Sequence, residues 1–161
     1  MPVNDGALRD QLFQLLRGAN AHVDVLSALK DFPAKLYGKK PKGAAHSGWE
    51  ILEHMRIALR DLWDFSTNPE YIEKKWPDDY WPVSAEPPSE EAWHRSVREL
   101  EEDLEAFGKL IKNPKSNLYA QIPWGKKDQT LLREFLLAAD HTSYHTGELV
   151  CLRRLLGAWK V

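Results

Sequence analysis

Two histidines stand four residues apart in the stretch DHTSYHTGELV, at His141 and His145. On a helix, with ~100° per residue, they are offset by only ~40° around the axis and ~6 Å along it, so both imidazoles can reach one ion. A third histidine, His54, stands three residues after Ile51 and four before Ala58 in SGWEILEHMRIALRDLWDF. Both sites interrupt apolar stripes, so the three rings point toward a core. Burying several imidazoles costs free energy unless each finds a partner, and a single divalent ion partners all of them. A hydrogen bond inside the core satisfies a buried histidine equally well. The residues alone leave both readings open.

Other side chains could serve the same chemistry. Glu148, three residues after His145, could orient a ligand imidazole or act as a base; a surface carboxylate is the plainer role. Asp61 lies two turns after His54 and could support a ligand. His22 interrupts the stripe of the first helix, as a fourth ligand, a pocket wall or a satisfied core histidine. Tyr144 and Arg153 could bind an anionic substrate or simply pack. His46 reads as a loop residue and His94 as an exposed one. Cys151 lies ~120° around the axis from His145, which rules it out as a ligand and suggests a small buried hydrophobe.

Four helices must position these groups. The first spans residues 5–30, with Leu8, Leu12, Leu15, Leu16, Ala19, Val23, Leu26 and Leu29 at helical spacing. The second opens on the capping box Ser47-Gly48-Trp49-Glu50 and stops near Asn68-Pro69. Residues 68–88 hold five prolines and four large aromatics, which predicts a long structured Trp/Pro-rich loop. Trp76, Tyr80, Trp81 and Trp124 could cover a pocket mouth, cap the bundle or meet a partner. The third helix starts at the N-cap Ser89 and ends at Asn113-Pro114. The fourth begins between Asp128 and Thr130 and runs to Leu156, with Gly157 as its C-cap. Long amphipathic helices without strand-like alternation predict an all-α four-helix bundle, one domain over 1–161.

The chain has 161 residues, 43% hydrophobic, with a formal net charge of −2. Acidic and basic residues are mixed, which argues against a nucleic-acid partner. One cysteine allows no intrachain disulfide, and no segment is apolar and long enough to span a bilayer. No signal peptide is legible, so a cytoplasmic location is expected. Bundles with aromatic loops often pair, and a homodimer is expected.

The stretch from Ser47 to Phe65 and the terminal stretch from Asp140 to Trp159 together resemble the DinB-like superfamily of metalloenzymes. The resemblance rests on its W-x-x-x-x-H helix, matched by Trp49 and His54, and on its H-x-x-x-H-x-G-E/Q helix, matched by His141, His145, Gly147 and Glu148. It implies a bundle of up-down-down-up course and a metal centre with His54, His141 and His145 as ligands. Three imidazoles leave a coordination position open, and they suit Zn or Ni, with Fe also allowed. Similar enzymes use low-molecular-weight thiols such as glutathione, mycothiol or bacillithiol, which implies a metal-dependent transferase, or a hydrolase, acting on a small-molecule substrate. Two rivals stand beside it: a non-catalytic, stress-related metal-binding bundle, and a partner-binding module using the aromatics.

Overall fold

A computed structural model describes residues 5–159. The described chain is helical, without a strand; an isolated bridge joins Gln121 and Thr130. The helices are α1 (Gly6–Arg17), α2 (Val25–Leu29), α3 (Gly48–Thr67), α4 (Glu90–Lys112) and α5 (Leu131–Leu155). Short 3-10 turns cover Ala34–Leu36 and Asp78–Tyr80. None of the helices is long and apolar enough to cross a membrane.

The expected first helix is two helices. Gly18 takes φ +73° and donates its N–H to the Gln14 and Leu15 carbonyls, closing α1. Ala19 follows at φ +71°, so the chain turns away. Asp24 then starts α2, accepting from the Ser27 N–H at 2.9 Å. The leucine spacing runs through this break because both pieces bury leucines, Leu12 and Leu16 on one side and Leu29 on the other. Periodicity reports burial, and local backbone chemistry decided continuity. Leu15, counted in the stripe, is 51% exposed.

The other helices begin where their caps direct. Ser47 Oγ accepts from the Glu50 N–H at 3.2 Å, and Glu50 Oε2 accepts from the Ser47 N–H at 2.8 Å. The same Ser47 hydroxyl donates to the Ala85 carbonyl at 2.6 Å, which ties the start of α3 to the segment before α4. Ser89 caps α4 and Thr130 caps α5 in the same way.

Helices α1 and α3 each pack on both α4 and α5, and α2 lies against α5. The core between them holds Leu52, Trp93, Leu100, Phe107, Phe135 and Leu149, all essentially inaccessible. Each such side chain contributes about 1.5–3 kcal/mol of burial. Two arginines are buried with the apolar residues, and both donate to backbone carbonyls, Arg9 also to the Asp5 carboxylate at 2.9 Å. Arg9 donates to the carbonyls of Ile111, in the last turn of α4, and of Asn113 and Ser116 just beyond it. Arg153 donates to those of Ala28, Lys30, Asp31 and Ala158. The guanidinium of Arg153 is therefore consumed by the segments it joins, so of its two readings packing holds and anion binding does not.

Candidate metal centre

α3 delivers His54 and α5 delivers His141 and His145. The capping box fixes the start of α3, and His54 follows two turns later on the face that also buries Ile51, Leu52 and Met55. On α5, His145 is buried and His141 half-buried. One ligand nitrogen from each of the three lies within 4.8 Å of the others, and no further His, Cys, Asp or Glu joins the cluster among the described residues. The ring centroids are 4.5–4.8 Å apart and the rings meet edge-on.

Hydrogen bonds set the tautomers. The Nδ1–H of His54 donates to the Tyr80 carbonyl at 2.9 Å, which leaves Nε2 with its lone pair. The Nδ1–H of His145 donates to Glu148 Oε2 at 2.8 Å and frees that Nε2 likewise. The Nε2 atoms of His54 and His141 lie 3.0 Å apart. Two imidazole ligands on one tetrahedral zinc, with Zn–N of about 2.0–2.1 Å, sit about 3.3 Å apart, close to this spacing. Burial, and then the neighbouring rings of His145 and His54, push the His141 pKa down to about 3. Burial also lowers His54. Both rings are thus neutral at ordinary pH, the form that ligates. The residues present fit a divalent ion.

Around the cluster the segment between α3 and α4 folds back. Trp81 stacks on His54 with parallel planes and ring centroids 3.9 Å apart, and His46 stacks on Trp81 with centroids 4.0 Å apart. His46 Nδ1 donates to Glu148 Oε1 at 3.3 Å, so that carboxylate holds two imidazoles. The hydrogen bond from His145 holds the Glu148 carboxyl below its usual range. Asp61 touches none of the three rings. It accepts from the Tyr80 hydroxyl at 2.6 Å and from the Tyr71 hydroxyl at 3.2 Å, and so steadies the residue whose carbonyl receives His54.

Several expected positions fall elsewhere. His22 is exposed in the α1–α2 break, donating Nδ1–H to the Val23 carbonyl and accepting from Ser143 Oγ at 2.8 Å. It is neither a fourth ligand nor a core histidine, because the break swings it outward. Cys151 is exposed, not buried: six residues past His145, it falls on the outer face of α5. Trp124 packs away from the cluster, with its indole N–H on the Phe65 carbonyl. His94 is exposed beside Glu90, as read from the sequence. Among the aromatics, Trp81 and Tyr80 pack inward while Trp76 is 70% exposed at the rim, its centroid 6.2 Å from that of His54. Tyr144 is exposed with its ring edge-on to His145.

The sequence alone makes His46 a loop residue, without its place beside the cluster, and offers Trp81 as a cover for a pocket mouth, a cap or a partner contact, without setting it on His54. Both lie in connections, without periodicity: His46 just before the cap of α3, and Trp81 in residues 68–89, whose fold-back brings it to α3 and α5. Comparison with protein-family models, with curated proteins and with solved structures finds no match to this chain.

Proposed function

We propose that the chain is a DinB-like metalloprotein that holds one divalent ion, zinc or nickel, on His54, His141 and His145. The observation that carries this is the convergence of three imidazoles, two of them with Nδ1 committed to a carbonyl or a carboxylate. Such outer hydrogen bonds are the usual support of a metal-ligating histidine. The all-helical fold and the two motifs support an up-down-down-up bundle of that family.

With three protein ligands a coordination position stays free, which suits a catalytic site. The ion would supply Lewis acidity, making a thiol or a water more acidic. The chain's own groups would do the rest. Tyr80 and Glu148 hold two rings in one orientation, and Trp81 screens one face of His54 from water. Both Glu148 oxygens are engaged by imidazoles and its carboxyl is held ionised, which favours an orienting role over proton abstraction. The activity we infer is a thiol-dependent transfer, in which a low-molecular-weight thiol attacks a small electrophile.

The first test is elemental analysis of purified protein. Wild type is expected to carry one divalent ion per chain, and His141→Ala/His145→Ala none; equal stoichiometry in both would refute the metal reading. The second adds glutathione, mycothiol or bacillithiol with a generic electrophile to the metal-loaded protein. Turnover above the His54→Ala variant is expected with one of them. No turnover with any thiol would leave a structural ion in place of a catalytic one.

A further inference from the structure

Helix α5 is apolar on two sides. Phe135, Ala138, Leu149 and Leu152 face the core. On the outside, Leu137, Tyr144 and Leu155 are 38, 71 and 66% exposed, and Cys151 is exposed with them. A helix on the surface of a monomer ordinarily gives its outer face to polar residues. At ~100° per residue, Leu137, Asp140, Tyr144, Gly147, Cys151 and Arg154 fall within one arc ~100° wide.

The middle of this face is Gly147. A Cβ there would meet nothing within 4 Å, so the bundle does not require glycine. Glycine inside a helix lowers its stability, and its usual return is the close approach of another backbone. Seven residues before it stands Asp140 and seven after it Arg154, each ~10.5 Å along the axis. Their charges are opposite, and neither side chain has an ion-pair or hydrogen-bond partner among the described residues.

We propose that α5 pairs with α5 of a second copy of this chain, antiparallel, across a two-fold axis at Gly147. Two-fold symmetry makes every contact twice. Asp140 then faces Arg154 of the second copy at both ends, and Tyr144 and Leu137 fall beside Cys151 and Leu155 of that copy. The charge order selects both the partner and its direction: a parallel pair would set Asp140 on Asp140 and Arg154 on Arg154. Because the ring of Tyr144 meets that of His145 at 4.9 Å, the interface borders the histidine cluster. The pairing itself needs no metal.

Sedimentation equilibrium of the full chain, with chelator, tests this. Wild type is expected at twice the chain mass. Asp140→Arg and Arg154→Asp place like charges across the axis, and each is expected to weaken the dimer by about tenfold or more. The double reversal restores opposite charges and should recover the wild-type constant. Unchanged helical circular dichroism keeps misfolding apart from dissociation. A second readout is Gly147→Cys in a Cys151→Ser background, which should form an interchain disulfide on mild oxidation. A monomeric wild type, or a double reversal weaker than either single change, would overturn the proposal.

Discussion

Glu148 engages two imidazoles at once, His145 at 2.8 Å and His46 at 3.3 Å, and those bonds give it a role that spacing could only suggest. It fixes which nitrogen of His145 carries the proton. Replacing it by Ala frees the ring to rotate and to change tautomer. We expect Glu148→Ala to raise the dissociation constant for the ion by about 10–100-fold, and Glu148→Gln, whose amide oxygen still accepts from His145, by less. Competition with a chromophoric chelator measures both. An unchanged constant in the Ala variant would remove Glu148 from the site.

At the scale of elements, the start of α3 bears on the site more than its distance suggests. Ser47 caps the helix and also holds the Ala85 carbonyl, in the segment that carries Tyr80 and Trp81 to His54. Ser47→Ala loses both bonds at a fully buried position. It should destabilise the chain by about 1–2 kcal/mol in chemical denaturation. Arg153 plays a similar part at the end of α2. Arg153→Met keeps most of the volume but leaves several carbonyls without their donor, and should cost about 2–4 kcal/mol by the same measurement. A loss below half a kcal/mol would mean that water replaces the guanidinium at no cost.

For the molecule as a whole, pH dependence follows from its buried carboxylates. Glu134 is 1% exposed and burial raises its pKa, against the opposing pull of Arg133 at 2.7 Å. A raised folded pKa means that the folded state binds the proton more tightly than the unfolded chain. The associated stability is fully present below the unfolded pKa, about 4.3, and is lost as pH rises through the folded value. Glu134→Gln has no such loss. Its melting temperature relative to wild type should therefore rise from pH 4 to pH 7 and level off above; a difference that shrinks over that range would contradict the raised pKa.

The capping box, the Ser89 cap, the breaks at Asn68-Pro69 and Asn113-Pro114 and the three convergent histidines were legible in the sequence, because each rests on local backbone chemistry or on helical period. The split between α1 and α2 was not. Leucine spacing persists across Gly18 and Ala19, and nothing in that spacing reveals two consecutive positive φ values. Nor could the sequence place Arg153, whose partners Ala28 and Lys30 lie more than a hundred residues away. The sequence by itself determined an all-helical chain and the pairing of His141 with His145, since residues on one helical face stay together whatever surrounds them, while bringing His54 to them took the packing of α3 on α5. Tertiary structure alone decided what those rings touch. The Tyr80 carbonyl, Trp81 and His46 come from segments without period, and only the packing of residues 68–89 and of the connection into α3 sets them beside the histidines.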